Sequence, residues 1–123
     1  MSRAQAEIDG AVRNFLGALD ELDCLVDDNL ARAEQIKARI GELRERLHNG
    51  DPLPQIVAEE NRPLLVELIT TNLEGLNDVG STLRRTEAEA LRAHGLTTER
   101  IAQLFGVTRQ RVSTLLRHRS RAC

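Results

Sequence analysis

The sequence predicts an all-α fold: a long N-terminal helical hairpin of coiled-coil character, followed by a compact C-terminal unit of three helices. Three observations carry this. Apolar residues step by four and three without a slip from Ile8 to Leu47, and the stepping resumes after Pro63. With two Phe and neither Trp nor Tyr, any core is aliphatic, which suits helix on helix better than sheet on sheet. Finally, Thr, Gly and Thr punctuate the last 30 residues at the spacing of short capped helices.

The first stripe runs Ile8, Val12, Phe15, Leu19, Leu22, Val26, Asn29, Ala33, Ile36, Ile40, Leu43, Leu47. No proline interrupts residues 1–51, so one helix from about Arg3 to His48 is expected, roughly 65–70 Å long at the usual rise. Such a helix cannot stand alone. Leu16, Leu25 and Leu30 widen its sticky face beyond a two-stranded seam, which points to bundle packing. Asn29 interrupts the stripe, and a buried amide there sets register if it meets a partner or loosens packing if it does not. A single hairpin leaves much Leu and Ile uncovered. A homodimer is therefore expected through Val12, Phe15, Leu19, Leu22, Val26, Asn29, Ile36, Ile40 and Leu43.

Asn49-Gly50-Asp51-Pro52 ends the first helix, with Gly50 suited to a left-handed cap. Residues 52–62 read as a short helix or ordered loop. From Pro63 the positions Leu65, Ile69, Asn72, Leu76, Val79, Leu83, Thr86 and Ala90 supply the complementary stripe. Gly75 and Gly80 weaken it, leaving two readings: one helix, or a break near Gly80-Ser81 with Ser81 capping a second helix to His94. The expected division is residues 1–80 as a dimerising hairpin and residues 81–123 as a separate domain.

The stretch Leu96 to Arg119, LTTERIAQLFGVTRQRVSTLLRHR, carries the chemistry. Thr97 is an N-cap with Leu96 and Ile101 at staple positions, and Ile101, Ala102 and Phe105 share a face. Gly106 turns the chain. Thr108 then caps a second helix, with Val107 and Val112 as its staple and Val112, Leu115 and Leu116 turned inward. Ile-Ala, then Gly-Val-Thr, then Val and Leu at helical spacing resembles the helix-turn-helix of bacterial transcription regulators, and also the DNA-reading end of sigma factors. It departs from many such sequences at Arg100, where they place a glutamate that closes a capping box.

The outer side of the second helix, residues 108–119, presents side chains that reach bases or phosphates. Base contacts are expected from Arg109, Gln110, Ser113, Thr114 and Arg117, since Arg matches guanine and Gln matches adenine through paired hydrogen bonds. Phosphate contacts are expected from Thr97, Arg100, Thr108, Arg111, Arg119 and Arg121. Charge supports the division. Residues 98–123 hold six Arg against one Glu, although the whole chain has a formal charge of −2.

Nothing points to an enzyme. The three His lack a second ligand at helical spacing, the acidic runs at Asp20-Glu21-Asp23 and Asp27-Asp28 read as solvated faces, and no nucleophile or phosphate-cradling motif stands out. Neither a catalytic residue, a metal nor a cofactor is expected, though an aliphatic bundle interior leaves room for an apolar effector. Cys24 and Cys123 suggest reduced thiols, and no apolar run is long enough for a membrane span, so a cytoplasmic, nucleoid-associated protein is expected. The expected function is a dimeric, sequence-specific DNA-binding transcriptional regulator whose partners are double-stranded DNA and itself. The alternatives are an interaction adaptor, for RNA polymerase or another regulator, and an architectural protein of low sequence preference.

Overall fold

The computed structural model describes residues 2–117, and its regular elements are all helices: α1 (Arg3–His48), α2 (Leu53–Ala58), α3 (Leu65–Ala93), α4 (Thr98–Phe105) and α5 (Arg109–Arg117). The helix α1 occupies the span its stripe predicts. His118, Arg119, Arg121 and Cys123 lie outside the described residues. The chain resolves into two compact units, Cys24–Asn77 and residues 2–23 with 78–117. Both α1 and α3 contribute a stretch to each.

In the unit Cys24–Asn77, α1 and α3 pack antiparallel through only part of the apolar stripe. With Asn29 at heptad position d, the d and g residues Leu25, Asn29, Arg32, Ile36 and Arg39 of α1 are half-buried, and Leu68, Asn72 and Gly75 answer them from α3. Of the a and e residues, Val26, Leu30 and Ala33 of α1 and Val66, Ile69, Leu73 and Leu76 of α3 stay open, whereas Ile40 is half-buried. The side-chain amide of Asn29 donates to the Asn72 carbonyl at 3.5 Å and that of Asn72 to the Asn29 carbonyl at 3.4 Å, while Arg32 donates to Asn72 Oδ1 at 2.9 Å. Asn29 thus finds its amide partner within its own chain. Gly75 sits where a Cβ would come 2.9 Å from Leu25 Cδ1, so its small size serves close approach.

The connection between the long helices is pinned by charge. Arg39 donates to Glu60 Oε1 at 3.2 Å and to the carbonyls of Asn61 and Pro63, and Glu60 Oε1 also accepts from the first amide of α3, Leu65 N, at 2.7 Å. Both side chains are largely covered, at 18% and 14% exposure, so the pair is firmer than a surface ion pair. Arg46 bridges Asp51 at 2.9 Å and Glu59 at 2.8 Å. Hydrogen bonds from Gln55 and then Arg46 hold the Glu59 carboxyl below its ordinary value, and those to Asp51 and then Glu59 raise Arg46. Ile56 of α2 and Leu68 of α3 are buried in the same unit.

One helix, not two, spans Leu65–Ala93: α3 runs through both Gly75 and Gly80. A glycine costs a helix roughly 1 kcal/mol relative to alanine, and tertiary packing of an amphipathic face offsets more than that. In the second unit Thr86 is buried where the stripe needs an apolar residue, and its hydroxyl is satisfied by the carbonyls of Thr82 at 2.9 Å and Leu83 at 3.1 Å. The core of this unit joins Ala88 of α3 to Ile101, Ala102 and Val112, with Leu91, Leu96, Phe105 and Leu116 packed around them. Among the described residues no helix is long and apolar enough to cross a membrane.

Candidate nucleic-acid interface

Two short helices and one turn build the candidate surface. Thr97 Oγ1 accepts from Arg100 N at 3.1 Å and opens α4; Thr108 Oγ1 accepts from Arg111 N at 3.1 Å and opens α5. Between them Gly106 takes φ +67°, its amide donating to Gln103 O while Val107 N donates to Ala102 O at 3.0 Å. That paired closure satisfies carbonyls a helix end would otherwise leave bare. A side chain at Gly106 would strain this left-handed backbone, which is why glycine stands there.

The turn lays α5 against α4 so that Ile101 and Val112 are completely buried. Burying the Val112 side of α5 fixes which residues look outward: Arg109, Gln110, Arg111, Thr114 and Arg117 are exposed. Ser113 is half-buried, further from a free surface than the sequence suggests. Among the described residues Arg109, Arg111 and Arg117 form no ion pair, so their charge is not neutralised locally. Three arginines therefore line one nine-residue helix.

The remaining residues have narrower options. The Thr114 hydroxyl donates to Gln110 O at 3.0 Å, leaving its oxygen as an acceptor. The Thr97 and Thr108 hydroxyls, used as acceptors in capping, keep a proton to donate to a phosphate oxygen. Arg100 donates to Gln103 Oε1 at 3.1 Å on the exposed side of α4. Arg119 and Arg121 fall outside the described residues. Leu104, which the sequence reading did not single out, and Val107, expected there as a staple residue, are exposed beside the turn.

No known protein family, curated protein or solved structure matches this chain. What the surface does must be argued from its own residues. Among those described, no group of three or more His, Cys, Asp or Glu is placed to hold a metal. A groove of about 370 Å³ in the unit of residues 2–23 and 78–117 is lined by Arg13, Asn14, Glu21, Thr82, Arg85 and Thr86 among others. Its polar walls do not suit an apolar effector.

Proposed function

We propose that this protein is a dimeric, sequence-specific DNA-binding regulator of transcription, with α5 seated in a major groove. One observation carries the reading: with Val112 fully buried, α5 exposes Gln110, Thr114 and Arg117 on its opposite face and Arg109 on the flank of its first turn. An α-helix fits the B-DNA major groove, and these side chains match its donors and acceptors. Arg109 and Gln110, in the first turn, are assigned to base edges, with Thr114 and Arg117 following and Ser113 in a lesser role. Arg111, Arg100 and the capping hydroxyls of Thr97 and Thr108 are assigned to phosphates, and the free amides at the start of α5 favour a phosphate there.

Selection of bound sequences from a random duplex pool tests this. The expected result is an enriched motif with two-fold symmetry, lost in Arg109→Ala/Gln110→Ala while helicity is kept. Binding with no enriched motif would leave an architectural role in place of a regulator. The adaptor reading, with RNA polymerase or another regulator as partner, is favoured by exposed Leu53 and Val57 on α2, at 58% and 59% exposure. Complete absence of salt-sensitive duplex binding would select it.

A further inference from the structure

The apolar face that α1 and α3 leave open identifies how two copies join. In an antiparallel helix pair that meets through d and g positions, the a and e positions of both helices fall on the same side of the seam. On that side lie Val26 and Leu30 of α1 with Val66, Ile69, Leu73 and Leu76 of α3, exposed by 39% to 64%. Together they leave on the order of 500 Å² of apolar surface, at the upper end of what a monomer shows to water. Two such faces bury about 1,000 Å², and with their polar rims reach the range of about 1,200–2,000 Å² typical of stable interfaces.

Charge along the same side of α1 is divided by position. Asp20, Asp23 and Asp27 precede Leu30, and Lys37 and Arg44 follow it, all of them exposed. A two-fold axis along the helix would stack the acidic stretch on itself. A two-fold axis across the helix lays the acidic stretch of one copy on the basic stretch of the other, and Glu34, near the axis, is compatible with either.

The geometry points to a second copy of this chain as the occupant: an antiparallel homodimer through the Val26, Leu30, Val66, Ile69, Leu73 and Leu76 face, its axis crossing α1 near Leu30–Ala33. This rests on the dimer of the proposed function but not on DNA recognition, and it replaces a symmetric use of the whole α1 stripe by one edge of two helices. It also gives the lone lysine of the chain a task, opposing Asp27 of the other copy.

The test is pulsed dipolar distance measurement between spin labels on the full chain without DNA, in a Cys24→Ser/Cys123→Ser background, with sedimentation to give the dimer constant. Labels at Glu34→Cys should lie within about 20 Å of each other, and those at Arg44→Cys roughly 40 Å apart, from the rise of 1.5 Å per residue on either side of the axis. Leu30→Glu and Leu73→Glu should each weaken association at least 100-fold with helicity unchanged. Asp27→Lys should weaken it several-fold, and Asp27→Lys/Lys37→Asp should recover it. A dimer with equal short distances at both labels overturns the antiparallel arrangement and leaves the dimer standing. A dimer indifferent to both glutamate substitutions overturns the face. A wild-type monomer at 50 μM, about fifty times a typical micromolar constant, overturns this inference and the dimer of the proposed function together.

Discussion

Asn29 and Asn72 exchange side-chain-to-backbone hydrogen bonds across the α1–α3 seam, and Arg32 reaches both side-chain carbonyls, at 3.4 Å and 2.9 Å. A polar layer in an otherwise apolar seam fixes alignment, because any slide by a turn leaves both amides facing hydrocarbon. Asn72→Ala should therefore lower unfolding free energy by about 1–2 kcal/mol, the cost of stranding half-buried partners. Asn29→Leu/Asn72→Leu should instead resist urea better than wild type while giving broadened amide resonances from mixed registers. Sharp resonances in that double variant would show that the pair does not set register.

Arg39 and Glu60 supply a second test. Glu60→Ala should cost about 2–3 kcal/mol, below the full penalty for a fully buried pair because both side chains retain some water. Arg39→Ala should cost a similar amount and Arg39→Lys less, since an ammonium keeps the charge and three donors on one nitrogen but sits on a shorter stem. Urea titration measures all three.

Two glycines should respond oppositely. At Gly106, φ +67° is left-handed, so Gly106→Ala should destabilise by about 1 kcal/mol and Gly106→Asn by less. At Gly80, inside α3, a Cβ meets nothing nearer than the Arg84 guanidinium at 3.7 Å, so Gly80→Ala should stabilise by about 0.5–1 kcal/mol. Thermal melts of both variants decide it.

Glu59 gives a pH signature. Its carboxyl is held below 4.5, so the stability it contributes is present above that value and is lost as pH falls through the lower folded-state value. The difference in urea midpoint between wild type and Glu59→Gln should shrink between pH 6 and pH 3. Because Glu59 is well solvated the effect should also fade with added salt.

For the proposed DNA surface, Arg111→Ala should weaken binding about equally across duplex sequences and reduce the slope of log affinity on log salt by roughly one. Arg109→Ala should relax sequence preference at one base position, costing about 1–3 kcal/mol on the preferred duplex and little on others. Equal losses on all duplexes would move Arg109 to the phosphate group.

The helical character of the chain, the extent of α1 and the caps at Thr97 and Thr108 were legible in the sequence because each rests on local spacing. What was not legible depends on where surfaces meet. The stripe of α1 showed that the helix is sticky but not which of its edges its own α3 takes, and Leu30 reads the same whether it is covered or, as here, 62% exposed. Gly75 looked like a weakness until Leu25 was seen beside it. Likewise, residues 2–23 group with 78–117 through long-range packing, which no linker-like composition announces. On the candidate surface, residue types were readable but the half-burial of Ser113 and the tie of Arg100 to Gln103 were not.

Glu60 also closes the start of α3. The first amides of a helix ordinarily exchange their hydrogen with solvent freely, but Leu65 N is held by a carboxylate that is itself gripped by Arg39. Unravelling of α3 therefore cannot begin from this end without first opening the ion pair. Deuterium uptake at Leu65 should lag behind that of an ordinary first-turn amide, and Arg39→Ala should release it.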